Sequence, residues 1–415
     1  MKQVSYIILF AFLGLFFTIQ AGADQIFIEN SSFELPVIDP NGYPAVPFAA
    51  GWTELDLDQY SSNTGVFLNT APNSPDHIVN ADGKQLAFLG SAEGNGFEQD
   101  LESTYKTGCD YRFTVGLAIS NAFPPSQEEP VDTLELALYY RDSNDPNLTI
   151  DIATRTVDAA GLLSTQLQDF SLYLDTVPSD ANYVNKNIGV AIRATGEAGG
   201  FWDLDNVRLV ESLPVSIKIE NSSFELPVID PNGYPAVPFA AGWTELDLDQ
   251  YSSNTGVFLN TSPNSPDHIV NADGKQLAFL GSAEGNGFEQ DLESTYKTGC
   301  DYRFTVGLAI SNAFPPSQEE PVDTLELALY YRDSNDPNLT IDIATRTVDA
   351  AGLLSTQLQD FSLYLDTVPS DANYVNKNIG VAIRATGEAG GFWDLDNVRL
   401  AGSFPSQISE KEGKE

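Results

Sequence analysis

Tyr111-Arg112-Phe113-Thr114-Val115-Gly116-Leu117-Ala118-Ile119 places its large apolar side chains on odd positions and small or polar ones on even positions. A helix would scatter that set around its axis; a strand puts it on one face. The same period of two runs through Leu134, Leu136, Leu138 and Tyr140, and again through Ile188, Val190 and Ile192. Between these runs lie Asp39-Pro40-Asn41-Gly42, Asp82-Gly83, Asp145-Pro146-Asn147 and Pro178-Ser179-Asp180. Such combinations favour turns, because Pro presets one dihedral while Gly and Asn accept positive φ. No stretch sustains a helical period. About ten short strands in roughly 185 residues predict an all-β fold, an antiparallel β-sandwich of the jelly-roll type.

The sandwich is written twice. Residues 29–209 return as 220–400, 191 positions on, with the single change of Ala71 to Ser262. That period is far longer than the 20–50 residues of a solenoid unit and matches a self-sufficient domain. The chain is therefore expected to hold two tandem, near-identical sandwiches over residues 24–210 and 219–402. Residues 211–218, with Leu213-Pro214, form a short linker without Gly/Ser runs, which restrains the pair and leaves room for the copies to pack as a pseudo-dimer. Residues 403–415 are a polar tail. Residues 1–23 combine Lys2, an apolar run over 6–19 and Ala21-Gly22-Ala23, the pattern of a secretory signal peptide, so a secreted or periplasmic protein is expected. That apolar run is short for a bilayer span, and no later segment is apolar enough.

Acidic residues number 59 against 20 basic ones, a net charge of −39. Nucleic acid and anionic membrane surfaces are thereby excluded as partners. The excess acid reads either as a solvated surface or as cation sites. Each copy has one cysteine (Cys109, Cys300) and one histidine (His77, His268). One of each leaves no internal disulfide and argues against Ser-His-Asp, Cys-His and zinc chemistry. The cysteines read as small buried hydrophobes. His77 falls in the loop Asn73-Ser74-Pro75-Asp76-His77 and is expected at the surface.

Two segments frame each copy: Ile28-Glu29-Asn30-Ser31-Ser32-Phe33-Glu34, followed by Gly51-Trp52, and Phe201-Trp202-Asp203-Leu204-Asp205-Asn206-Val207-Arg208-Leu209. On an unbroken strand Phe201, Asp203, Asp205, Val207 and Leu209 share one face. If Val207 and Leu209 are core, Asp205 points inward, where an unpaired carboxylate is costly. A hard cation held by carboxylates and backbone carbonyls would offset that cost. Glu34 is the natural partner if the first and last strands pair, so Glu34 and Asp205, with Glu225 and Asp396, are the expected calcium ligands. The alternative is that Asp205 caps a turn or pairs with Arg208 or Arg193. Asp203 and its twin Asp394 read as a general acid, a second metal ligand or a solvated rim. The rings of Trp52, Trp202, Tyr139, Tyr140, Phe88 and Phe123 are able to stack on sugars or to line a pocket for an apolar ring, the alternative being core packing. Trp202, opposite Asp203 on its strand, is the expected exposed platform. In the second copy the corresponding ligand-binding candidates are Trp393, Tyr331, Phe279 and Phe314.

The opening Asn-x-Ser-Phe-Glu, the Gly-Trp and the closing Asp-Asn-Val-Arg-Leu resemble the carbohydrate-binding-module (CBM)-like sandwiches of secreted bacterial proteins over the whole of each copy. Through Ser32-Phe33-Glu34-Leu35-Pro36, Gly51-Trp52-Thr53, Gly96-Phe97-Glu98-Gln99 and the strand from Asp203 to Leu209, the chain is also similar to the Stig cyclases. Those are calcium-dependent cyanobacterial enzymes that build hapalindole-type indole alkaloids. The resemblance implies a CBM-like fold and a structural calcium. For the enzymatic branch it implies a Cope rearrangement and cyclisation cascade on an indole-isonitrile terpenoid, with Asp203 and Asp394 as acids and Phe88 and Phe123 near the pocket. Stig cyclases are single-domain chains that pair as dimers, whereas here two copies share one polypeptide.

Three functions follow. The first is a secreted, calcium-stabilised tandem binding module for a glycan or another ring-bearing ligand, gaining avidity from its two sites. The second is a Stig-like cyclase, and the third a structural cell-surface or matrix protein. The residues favour the first, since an enzyme needs a positioned acid in a closed pocket and only one acid qualifies. The orientation of Asp203 decides between them. Burial beside Phe88 and Phe123 points to a cyclase; an open aromatic face around Trp202 points to a glycan site.

Overall fold

The computed structural model describes residues 23–55, 63–128, 130–196, 199–246, 254–319, 321–387 and 390–403. The expected signal peptide, save Ala23, and the tail, save Ser403, lie outside the described residues. Among the described residues each copy is built of strands and turns without a helix. Among those residues no helix is long and apolar enough to cross a membrane.

In the first copy the strands are β1 (Ala23–Ile26), β2 (Ala45–Val46), β3 (Thr53–Leu55), β4 (Thr64–Leu68), β5 (Gln85–Gly90) and β6 (Gly96–Thr104). They continue as β7 (Asp110–Ile119), β8 (Thr133–Arg141), β9 (Thr149–Asp158), β10 (Gln168–Leu174), β11 (Asn187–Ala194) and β12 (Phe201–Ser212). A seven-stranded sheet runs β10-β7-β12-β5-β4-β2, with β1 also on β12; a five-stranded sheet runs β3-β6-β11-β8-β9. Every named strand pair is antiparallel. The second copy repeats the arrangement from Val215–Ile217 to Phe392–Ser403. The stretch expected as linker is mostly strand: β12 runs through Ser212, and the next strand begins at Val215.

The alternation read in the sequence is what fills the sandwich. Tyr111, Phe113, Val115, Leu117 and Ile119 of β7 face Leu134, Leu136 and Leu138 of β8 and Ile188, Val190 and Ile192 of β11 in one core. Cys109 and Cys300 are free and buried.

Strand β12 departs from the simple alternation. Its pairing with β7 slips between Asp205 and Arg208, and Asn206 sits at φ 59°. Asn accepts the left-handed region more readily than most residues, and the extra residue of a bulge reverses which face follows. Trp202 and Leu204 are in the core before the slip; Val207 and Leu209 are in it after. Phe201, Asp203 and Asp205 therefore lie on the opposite face from Val207 and Leu209, which corrects the shared face expected above. It also corrects the aromatic platform. Trp202 and Trp393 are fully buried, with Nε1 donating to Ser91 Oγ at 3.3 Å and to Ser282 Oγ at 3.4 Å.

Candidate functional site

The bulge puts Asp203 on the outer face of the seven-stranded sheet, and register places its neighbours. Gly65 of β4 pairs with Phe88 of β5, Phe88 with Asp203 of β12, and Asp203 with Ala118 of β7. These four residues form a cross-strand row. The row alternates absent, large, acidic and small side chains, which leaves a depression above Asp203. Gly65 is needed there: a Cβ on it would stand 2.7 Å from Phe88 Cζ and 2.2 Å from the Val46 carbonyl oxygen. Phe88 leans edge-on against Phe201, with centroids 5.9 Å apart.

Loops raise the walls. Ile78, Leu86, Ala118 and Leu167 make a small second core on this outer face, closed by the bridge between Val79 and Gln166. After β7 the chain is clipped to the start of β12: Ser120 N donates to Phe201 O, and Phe201 N to Phe123 O, at 2.9 and 2.8 Å. The result is a cleft of about 450 Å³ lined by Phe88, Phe123, Phe201 and Asp203, among others. Its counterpart in the second copy, of about 630 Å³, is lined by Phe279, Phe392 and Asp394. Phe123 and Phe314 stand exposed. Among the described residues no Lys, Arg or His lines either cleft.

Asp203 is buried, and no ion pair reaches it among the described residues. Burial alone lifts its carboxyl to about 7, and that of Asp394 likewise to about 7. A carboxyl in that position keeps its proton near neutrality and can donate it.

Asp205, two residues on, is in a different setting. Its Oδ2 accepts the Asp82 N–H at 2.7 Å and its Oδ1 the Asn206 N–H at 2.7 Å. Glu34 Oε1 accepts Lys84 N–H at 2.7 Å and Gln85 N–H at 2.6 Å. The turn of Asp82 to Gln85 thus wraps both carboxylates, and Gly83, at φ 93°, gives way to Glu34: a Cβ there would stand 2.6 Å from the carboxyl. Burial raises the Asp205 carboxyl to about 7; the Asn206 and Asp82 N–H groups pull it down, while the Asp82 and Glu34 charges push it up. Arginine does not neutralise the pair. Arg208 is spent on Asp169 at 2.6 Å and Arg193 on Asp151 at 2.7 Å, so the alternative partners of Asp205 are taken. An all-oxygen pair with no cation suits a hard divalent ion. No group of three or more His, Cys, Asp or Glu side chains gathers for a metal among the described residues, so such an ion would need backbone carbonyls to complete its shell.

The remaining ring candidates are not at the cleft. Tyr140 is buried in the core against Tyr183, and Tyr331 against Tyr374, so neither ring is presented to a ligand. Tyr139 lies on the outer face of the other sheet, covered by the guanidinium groups of Arg141 and Arg193. Those arginines are held by Glu98, Asp100, Glu135 and Asp151, leaving no bare aromatic surface for stacking. Phe201, which the sequence reading passed over, does line the cleft; its place one residue before the buried Trp202 on an alternating strand was the available signal.

Each copy is similar to known proteins. The HpiC1-like family model, described as HpiC1 cyclase, matches residues 24–210 and again 215–401. No curated protein matches in sequence. Among solved structures, the Stig cyclase Fisc from Fischerella sp. TAU, in complex with (3Z)-3-(1-methyl-2-pyrrolidinylidene)-3H-indole, is 22% identical with a TM-score of 0.35, covering 46% of this chain and 98% of that one. The tandem CBM22-1-CBM22-2 domain of Paenibacillus barcinonensis Xyn10C is 11% identical with a TM-score of 0.28, covering 85% of this chain and 93% of that one. With the family model spanning nearly all of both copies, the chain belongs to the HpiC1-like cyclase family and carries the family's unit twice.

Proposed function

We propose that each copy is a cyclase-like catalytic unit, in which the outer-face cleft binds an apolar, ring-bearing substrate and Asp203, or Asp394, acts as general acid. The observation that carries this reading is a buried carboxyl in one cross-strand row with Phe88 and Ala118, beneath a cleft lined, among the described residues, by no basic side chain. The proton passes from the carboxyl to the substrate. The resulting cation rests against the rings of Phe88 and Phe201, whose quadrupoles favour positive charge. As the ring system closes, a proton returns to the carboxylate. Product and substrate are then isomers, and no oxidant is consumed. The substrate class is an indole-isonitrile terpenoid, as the family resemblance implies.

Calcium is part of the same proposal. Glu34 and Asp205, with Glu225 and Asp396, would hold it, and its contribution there is to stability, neutralising carboxylates that have lost water. The two copies are read as an intrachain pseudo-dimer. Supporting this are the Tyr173 and Tyr364 rings, stacked with centroids 3.8 Å apart, and the reciprocal contacts of Arg112 with Asp301 at 3.1 Å and Arg303 with Asp110 at 3.3 Å. Equivalent residues meeting one another is the pattern of a two-fold interface. Export from the cytoplasm is supported by the apolar run and small-residue site of residues 1–23.

The test is to incubate the full chain with an indole-isonitrile terpenoid and calcium and to follow isomeric products by chromatography and mass. A product of equal mass, lost in the Asp203→Asn, Asp394→Asn variant, is expected. Unaltered substrate together with retention on insoluble glycans would establish the second reading, a tandem binding module. That reading has in its favour the rings of Tyr43, 81% exposed, and Phe123 at the cleft.

A further inference from the structure

The aromatic walls of the cleft offer no acceptor to a ring N–H, and a donor that loses water without finding a partner costs affinity. The rim supplies an acceptor in Asn121. Its Nδ2 donates to Asp76 Oδ1 at 2.7 Å, and Ser164 Oγ donates to its Oδ1 at 3.4 Å. The three side chains come from separate loops: Asp76 between β4 and β5, Asn121 after β7, and Ser164 between β9 and β10. All three line the cleft. The second copy repeats the contacts, with Asn312 on Asp267 at 2.7 Å and Ser355 on Asn312 at 3.4 Å. Asp76 N donates to Ser74 Oγ at 3.2 Å, and His77 Nδ1 donates to the Thr70 carbonyl at 2.6 Å, so the loop that carries Asp76 is tied to itself.

These contacts decide which way the Asn121 amide points. A carboxylate accepts and does not donate, so the amide nitrogen must face Asp76 and Oδ1 must face away from it, towards Ser164. An amide oxygen has two lone pairs, and the long Ser164 contact engages one of them at most. The hydroxyls of Thr70 and Ser120, also in the lining, turn to donate or accept alike, whereas Asn121 presents a fixed acceptor. The amide is neutral, so a neutral ligand covers it without burying a charge. Asn121 is exposed, so water meets its free lone pair until a ligand replaces it, and the gain is that of a single neutral hydrogen bond.

Resting on the reading of the cleft as the site of a neutral indole, we infer that Asn121 and Asn312 are specificity residues that accept the ring N–H, and that Asp76 and Asp267 are positioning residues that hold each amide in its accepting orientation. The experiment is calorimetric titration of the full chain with 3-ethylindole and 3-ethylbenzofuran, neutral probes of nearly equal shape that differ in carrying a ring N–H or a ring oxygen. The indole is expected to bind about fivefold more tightly. Asn121→Leu with Asn312→Leu should remove that preference while the benzofuran still binds. Asp76→Asn with Asp267→Asn should shrink the preference without removing it, because an amide partner holds Asn121 in either orientation. On the unaltered chain the indole N–H proton should move downfield on binding and exchange more slowly with water, a magnetic-resonance readout that needs no variant to fold. Equal binding of the two probes, an unmoved N–H signal, or a preference that survives Asn121→Leu with Asn312→Leu overturns the acceptor role but leaves the cleft as a ring site. Equal weakening of both probes by Asp76→Asn with Asp267→Asn overturns the positioning role. Failure of both probes to bind overturns the acceptor and the ring site together.

Discussion

Asp203 and Asp205 stand two positions apart on one strand, both buried, and each has its carboxyl raised to about 7, yet they are built for opposite states. Around Asp203 are rings and a small alanine, and among the described residues no ion pair stabilises the anion. Around Asp205 are two backbone N–H donors and a second carboxylate, Glu34, whose own oxygen takes two more. The first environment keeps a proton ready to be given away; the second arranges donors around negative charge, as the proposed cation site would require. Burial alone does not assign a role to an acid. The groups facing it do.

The largest expected effect follows from the first acid. Asp203→Asn with Asp394→Asn should lower turnover of an indole-isonitrile terpenoid by about 100- to 10,000-fold while leaving the protein folded in calcium. An Asp205→Asn, Asp396→Asn variant should show the reverse, with loss of stability and no comparable loss of turnover once folded. If both pairs damage turnover equally, the contrast between the two acids is wrong. Next in size is metal removal. An ion bound only by the native state adds RT ln(1 + [L]/Kd), about 2.7 kcal/mol at one hundred times Kd, so chelation should lower the melting temperature by several degrees. A midpoint unmoved by chelator removes the ion from the account. Somewhat smaller is the effect of packing beneath the cleft. Gly65→Ala with Gly256→Ala should cost roughly 1–3 kcal/mol per copy in calorimetric unfolding, since the new methyl collides with the Val46 or Val237 carbonyl and the Phe88 or Phe279 ring.

Much of this was legible in the sequence. The odd-position apolar residues of β7, the repeat and the turn dipeptides are local signals, and the sandwich follows from them. Phe88, Phe123 and Asp203 were also legible as a set, through the family resemblance. What the sequence withheld depends on one backbone event. Alternation carries Trp202 outward only if β12 is read backwards from Val207 without a break, and the Asn206 bulge invalidates that reading. Tyr139 and Tyr140 likewise resist a local reading, because neighbours on a strand face opposite sides and both sides are covered here. Asp76 and Asn121 lie 45 residues apart, and only the folded loops bring them to one rim.

The last prediction sharpens the comparison through pH. In the metal-free protein each of these carboxyls has its native value, about 7, above its unfolded value near 3.8. The native state then holds the proton that the unfolded chain has released. Stability from this source is complete below about pH 4, declines as pH rises towards 7, and is level above it. Each unit of separation corresponds to about 1.4 kcal/mol, moderated by whatever water the native state admits. Asparagine cannot ionise, so Asp203→Asn with Asp394→Asn should flatten the fall in melting temperature between pH 5 and 7 relative to the unaltered chain in chelator. Calcium should flatten it too, but through the other pair, because a bound ion requires Asp205 and Asp396 ionised and its own affinity rises with pH. The two treatments act on separate carboxyls and should therefore add. If calcium has no effect on the slope once Asp203 and Asp394 are asparagine, the ion is not held by Asp205, and the assignment of opposite roles to the two acids fails at its second half.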